Sequence, residues 1–287
     1  MTPLAGALRW CRFVREYVLG HPCNRGRPVR AAARVLAWQV RKRLSGRAFV
    51  TPLAAGTSLR VSRDHTCSAL VRYVRLPEYD DLCLVRDLLG EYDWFVDVGA
   101  NVGVYTVLAA ARARAGGVIA LEPDPLAREE LERNVQLNGL RNVVVRGEAA
   151  GEAVREVWFT RELDSRNHVV AEPFAGARRL APMVTLDSVC LPVAIPAIVK
   201  LDAEGYASAV LEGARELLGH ERPPAWIIEV LDDWSLVRLL RGLGYVACTY
   251  DPDRRSLVEG RRSRWSDNLV FVRADRLAPV RHRLRAS

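Results

Sequence analysis

Trp94-Phe95-Val96-Asp97-Val98-Gly99-Ala100-Asn101-Val102-Gly103-Val104-Tyr105-Thr106 is the stretch that decides the fold. An apolar run, Phe95, Val96 and Val98, stops at a glycine and passes into the apolar segment Val104–Ala111. That pattern predicts a buried parallel strand, a tight turn and the start of a helix. Glycines at 99 and 103 let the backbone come close to a ligand, where a Cβ would stand in the way. Their spacing is Gly-x-x-x-Gly rather than the Gly-x-Gly-x-x-Gly of a pyrophosphate cradle. Asp97, just before the turn, points to a ligand that carries positive charge or several hydrogen-bond donors.

Outward from this stretch, strands and helices alternate. Val118–Leu121 reads as a second strand and Leu126 to Leu137 as a helix with a C-cap at Asn138-Gly139. Asn142–Val145, Ala197–Leu201, Ala225–Val230, Tyr245–Tyr250 and Asn268–Val272 read as further strands, with helices over Ala207–Leu218 and Trp234–Leu243. The expectation is an α/β protein of the Rossmann-like kind: a mostly parallel, seven-stranded sheet with helices on both faces. Residues 154–185 are irregular, with strand character at Val157–Thr160 and His168–Ala171. Before the sheet, 1–20 and 28–45 read as helices and Phe49–Leu53 with Ser58–Ser62 as a hairpin. Leu82, Val85, Leu88 and Leu89 mark a short helix. Residues 1–75 are therefore expected to be a basic accessory region and 76–287 the main domain.

The chain has 287 residues, 49% hydrophobic and 26% charged, the balance of an ordinary globular protein. No apolar run is long enough for a bilayer span, and Arg9, Arg12 and Arg15 interrupt what would be a signal peptide. Six scattered cysteines with no Cys-x-x-Cys argue for a reducing, cytoplasmic setting. The first 60 residues hold twelve Arg and Lys against the single acid Glu16, so the rest of the chain carries −3 of the net +8. A basic arm of this kind suits phosphate or an anionic membrane surface; the plainer reading is a solvated, arginine-rich helical face.

The chemistry-bearing residues fall at the carboxyl ends of the expected strands, where open α/β sheets bind ligands. Asp97, Gly99, Asn101 and Gly103 end the first strand and Glu122 the second. Glu122 suits two ribose hydroxyls, and Glu148, past the third strand, an adenine amino group; the plainer roles are a helix N-terminal charge and loop solvation. Lys200, Asp202 and Glu204 end the fourth strand at i, i+2, i+4, one face of an extended chain. Lys42 and Lys200 are the only lysines, which singles out a lysine in an apolar strand. S-adenosylmethionine, with a sulfonium, an ammonium and no phosphate, matches this set. Transfer of its methyl to an alcohol needs orientation and a proton acceptor. Asp202 is the leading base or metal ligand, Lys200 its partner, and His168 a rival base. A divalent metal is compatible with these residues but not indicated by them.

Four segments carry a family resemblance: Phe95–Gly103, Ala120-Leu121-Glu122-Pro123, Val184-Thr185-Leu186-Asp187-Ser188-Val189, and Val199–Gly205 followed by Val210-Leu211-Glu212-Gly213-Ala214. With these the chain resembles the FkbM-type family of S-adenosylmethionine-dependent methyltransferases. The resemblance implies a class I methyltransferase fold, O-methylation of sugar or polyketide hydroxyls, and cofactor contacts at Asp97, Gly99, Asn101, Gly103 and Glu122. The family often has a second acid three residues after the Glu of Glu-Gly, where this chain has Ala207. The alternatives are a nicotinamide-dependent oxidoreductase, which lacks its glycine fingerprint here, and a non-catalytic cofactor-binding scaffold. Amino-methylation of nucleic acid would want Asp/Asn-Pro-Pro-aromatic where Asp202-Ala203-Glu204-Gly205 stands. The expected partner is a small-molecule or glycan acceptor, not nucleic acid.

Overall fold

Phe95, Val96, Val98, Ile198, Val199 and Leu201 are all buried, as strands covered on both faces require. The structure, a computed structural model, describes residues 3–44, 48–62, 66–160, 168–170, 176–230 and 234–286. A hairpin of β1 (Phe49–Pro52) and β2 (Ser58–Val61) comes first. Next are β3 (Trp94–Val98), β4 (Gly117–Leu121) and β5 (Val143–Arg146). Four strands of a smaller sheet follow: β6 (Ala149–Ala150), β7 (Arg155–Thr160), β8 (Val169–Val170) and β9 (Arg178–Val184). The chain then returns to the main sheet with β10 (Ile198–Leu201), β11 (Ala225–Glu229), β12 (Tyr245–Asp251), β13 (Ser256–Glu259) and β14 (Asn268–Arg273).

The main sheet runs β13-β12-β14-β11-β10-β3-β4-β5. Its centre, β11-β10-β3-β4-β5, is parallel, and β14 is inserted antiparallel between β11 and β12. This is the Rossmann-like class I methyltransferase order. Strand order reverses between β3 and β10, so their carboxyl ends flank the switch point. Lys200 stands opposite Asp97 in that register. Phe95 and Ile227 enter one core, and Val96, Val98, Trp226 and Ile228 the other, by the two-residue alternation of a strand.

Several elements differ from the sequence expectation. The sheet has eight strands among the described residues rather than seven, because Ser256–Glu259 folds back on β12 as a hairpin. Helices Thr66–Val74 and Leu277–Ala286 and strand β9 were not anticipated. The expected helix over 207–218 is two, Ala207–Glu212 and Arg215–Gly219. The two meet at Gly213, whose backbone packs so closely on Gly151 that a Cβ would lie 2.0 Å from its carbonyl oxygen. Asp187 then restarts the helix, accepting from the Glu216 and Leu217 amides at 2.9 and 3.0 Å.

The N-terminal helices Pro3–Phe13 and Pro28–Leu44, the hairpin and helix Thr66–Val74 share a satellite core around Val18, Ala31, Val35, Trp38, Val61, Tyr73 and Val74. This unit is fastened to helix Pro125–Leu137. The Arg60 amide donates to Asn134 Oδ1 at 2.7 Å, and Arg60 Nε meets buried Glu130 at 2.8 Å. Asn134, fully buried, also donates to the Val102 carbonyl at 2.8 Å, which links the hairpin to the glycine loop.

Candidate active site

The loop after β3 is built by its backbone. Gly99 has φ +74°, Asn101 φ +48° and Gly103 φ +88°, the left-handed region open to glycine and tolerated by asparagine. A Cβ at Gly99 would lie 2.0 Å from the Asp202 carbonyl oxygen, so the loops after β3 and β10 touch there. Gly103 caps helix Val104–Arg112, and its missing Cβ makes room for Leu131.

Glu122, at the end of β4, closes this loop. Its Oε2 accepts from the Asn101 amide at 2.7 Å and its Oε1 from the Asp124 amide at 2.8 Å. Burial pushes its pKa up to about 7, against the pull of those two amides. Each oxygen has a further lone pair for a hydroxyl. Asp97, 2% exposed, accepts from the Thr106 hydroxyl at 2.6 Å and is raised to about 6, again mainly by burial.

Two cavities open at the switch point. The first, about 230 Å³, is lined among the described residues by Gly99, Asn101, Phe159, His168, Tyr206, apolar side chains and seven acids: Glu78, Glu122, Asp124, Glu148, Asp202, Glu204 and Glu229. No described Lys or Arg lines it. A dinucleotide pyrophosphate would be repelled there, whereas a sulfonium and an ammonium are attracted. The donor set fits S-adenosylmethionine. Glu122 would hold the ribose, and Val98, Leu121, Ala127 and Phe159 would supply apolar surface for adenine. The second cavity, about 470 Å³, is bounded by Phe13, Tyr17 and Leu70 from the N-terminal unit, by Ser263–Asn268, and by Asp97, Tyr105 and Lys200. Gly99, Asn101, Glu78, Asp202 and Glu229 line both cavities, so the two meet at these residues.

Lys200 is 2% exposed, with Nζ 3.3 Å from Asp202 Oδ2 and 5.4 Å from the Tyr105 ring centroid. The ammonium makes no hydrogen bond to any described residue. Burial disfavours its charge, but Asp202, Glu78, Asp81 and Asp97 outweigh that and raise its pKa. Glu78 accepts from the Tyr105 hydroxyl and, at 3.4 Å, from Asn268 Nδ2.

Of the residues singled out in the sequence, Gly99, Asn101, Glu122, Glu148, Asp202 and Glu204 line the first cavity. Asp97 and Lys200 face only the second, and Gly103 lines neither. Glu148 is paired with Arg146 at 2.5 Å. His168 lines the first cavity, while its neighbours Ser165 to Asn167 lie outside the described residues. The shared extended face expected for Lys200, Asp202 and Glu204 is not formed. β10 ends at Leu201, and Glu204 turns left-handed at φ +42°. The turn instead brings carboxylate oxygens of Asp202, Glu204 and Glu229 within 4.8 Å of one another. That spacing would admit a cation, but Lys200 already sits beside Asp202, and the cluster alone assigns no metal.

Glu78, Tyr105 and Glu229 were missed. Glu229 ends β11 and was readable by the same strand-end rule that found the others. Burial, then Asp202, raises it to about 7, while Lys200 opposes. Glu78 had no local signal.

The raised carboxylates predict a pH response. Asp97 and Glu122 sit at about 6 and about 7 in place of 3.8 and 4.5, and Asp81 at about 6. Between about pH 4 and pH 7 the native state binds more protons than the unfolded one at these sites, so stability falls as pH rises. His21, pushed down to about 4 by burial, opposes this below its ordinary 6.5 but is a single group. The ligand-free protein is expected to melt at least about 3 °C lower at pH 8 than at pH 5.5. S-adenosylmethionine binding is expected to strengthen over the same range. Thermal melts and titrations at both pH values check it, and the opposite order would refute it.

The family model for the methyltransferase FkbM domain matches residues 97–247. The chain belongs to that family. Its FkbM domain is thus an S-adenosylmethionine-dependent methyltransferase domain. A curated relative is the probable cobalt-precorrin-6B C(15)-methyltransferase (decarboxylating) of Sulfolobus acidocaldarius, 32% identical over 127 residues, which cover 41% of this chain. The chain spans 65% of that relative's length. Among solved structures, an rRNA methylase from Streptococcus thermophilus superposes with a TM-score of 0.43 at 13% identity, over 68% of this chain and 93% of that one. A precorrin-6y C5,15-methyltransferase from Geobacter metallireducens does so with a TM-score of 0.38 at 15% identity, over 68% and 85%.

Proposed function

We propose that this FkbM-family protein methylates a hydroxyl of a sugar, glycan or polyketide-type metabolite held in the larger cavity. The observation that carries the reading is the junction: a cation-attracting cavity meets a second one at Asp202 and Glu229, beside the ammonium of Lys200. The second cavity sets the aromatic rings of Phe13, Tyr17 and Trp265 beside carboxylates and the amide of Asn268. Aromatic faces stack on the apolar face of a polyhydroxylated ring, and acids and amides take its hydroxyls.

S-adenosylmethionine supplies an electrophilic methyl group on a sulfonium. An acceptor hydroxyl that received this methyl would give up its proton, and a carboxylate at the junction would take it. Asp202, at the junction, takes that proton in this reading. Lys200 holds the acceptor oxygen with the donors that no described residue occupies. Glu122 and the glycine loop fix the cofactor, and Asp97 braces β3 against helix Val104–Arg112 through Thr106. A second reading gives the proton to Glu229, favoured by its pKa of about 7, close to the optimum for a base at neutral pH.

The test joins calorimetry with an acceptor screen. S-adenosylhomocysteine should bind at micromolar Kd or better, and NAD⁺ should not. Methyl-labelled cofactor is then offered with sugars, glycans, polyketides, RNA and tetrapyrroles. Label recovered as a methyl ether supports the proposal. Label on RNA or on a tetrapyrrole carbon overturns the acceptor class, and binding without transfer to any acceptor favours the scaffold reading.

A further inference from the structure

Helix Pro28–Leu44 has two apolar faces, and only one of them is used. Ala31, Val35 and Trp38 are buried in the satellite core. On the other side Val29, Ala33, Leu36, Val40 and Leu44 follow one another at intervals of four, three, four and four residues, a single stripe along a helix. Its large members stand in solvent: Val29 is 81% exposed, Leu36 66%, Val40 46% and Leu44 81%. Arg30, Arg41 and Arg43 on the same helix are exposed, as are Arg25 and Arg27 in the loop before it. The neighbouring helix Pro3–Phe13 adds exposed Leu8 and Trp10.

Charge and apolarity together select the partner. The first 60 residues carry twelve Arg and Lys against one acid. Nucleic acid would satisfy the charge and leave the stripe bare. A second copy would cover the stripe but press two strongly basic surfaces together. An anionic bilayer satisfies both: the stripe enters the acyl boundary, the arginines meet the headgroup phosphates, and tryptophan is favoured at headgroup depth. No helix among the described residues is long and apolar enough to cross a membrane.

We propose that the N-terminal unit docks this protein on the surface of an anionic lipid bilayer through the Val29–Leu44 stripe. Docking of this kind is independent of which acceptor is methylated.

The full chain is floated with phosphatidylcholine vesicles, with and without about 30 mol% phosphatidylglycerol. Wild type is expected to float with the anionic vesicles and to lose that association as salt is raised. Leu36→Glu/Val40→Glu is expected to bind them about tenfold more weakly or worse, with S-adenosylhomocysteine binding retained as the check on folding. Val29→Ser/Leu44→Ser, at the helix ends, repeats the test should the first pair disturb folding. Absence of flotation, undiminished flotation of both variants, or equal binding to neutral vesicles overturns the proposal. So does a wild-type dimer, by sedimentation, that either variant dissociates, or a salt-sensitive RNA complex in place of vesicle binding.

Discussion

Asp202→Asn is expected to lower kcat for methyl transfer about a hundredfold or more while leaving S-adenosylhomocysteine affinity within about threefold. Asp202 stands where the two cavities meet, its side chain 35% exposed, so a proton taken from the acceptor can leave to solvent. Asparagine keeps its size and leaves an oxygen facing Lys200, which is 2% exposed and would otherwise lose its nearest counter-charge. Single-turnover transfer of labelled methyl, with Glu229→Gln alongside, is the measurement. Normal transfer by Asp202→Asn together with a loss in Glu229→Gln would move the base to Glu229. Normal transfer by both would remove carboxylate base catalysis from the account.

Glu122→Ala is expected to weaken cofactor binding about a hundredfold or more. The alanine deletes the carboxylate proposed to accept from the ribose and also leaves the amides of Asn101 and Asp124 without their partner. Water can serve these part-buried amides in the free protein but not once the cofactor covers them, so each then costs about 1–3 kcal/mol, and about 2.8 kcal/mol is a hundredfold in affinity. Glu122→Gln, which keeps acceptor capacity but not charge, is expected to fall between. Calorimetric titration with S-adenosylhomocysteine decides it, and wild-type affinity in a folded Glu122→Ala protein would end the assignment.

The Val184–Val189 segment, one of the four that carry the family resemblance, has a structural use here. Thr185 caps helix Leu186–Cys190, accepting from the Ser188 amide at 3.2 Å, and Asp187 caps Arg215–Gly219. Neither residue lines either cavity. This part of the resemblance therefore lies in a clamp between two helices, whereas the Val199–Gly205 part brings Asp202 and Glu204 to the first cavity.

The sequence by itself determined seven of the eight strands described in the main sheet and several residues that line the candidate site. Buried parallel strands are apolar runs, and the glycines after β3 and the acid after β4 are local signals, because backbone conformation and helix capping depend on near neighbours. Hence Gly99, Asn101, Glu122 and Asp202 were legible from a few residues each. Only the tertiary structure decided what those residues face. It separated Asp97 and Lys200 from the first cavity and brought Glu78 against Asn268, 190 positions away. It also walled the second cavity with Phe13, Tyr17 and Trp265 from opposite ends of the chain. The physical reason is that a pocket is made by packing between distant segments, and packing leaves no period in the sequence. The stripe on helix Pro28–Leu44 needed both: its spacing is written in the residues, but that it lies bare is a fact of the fold.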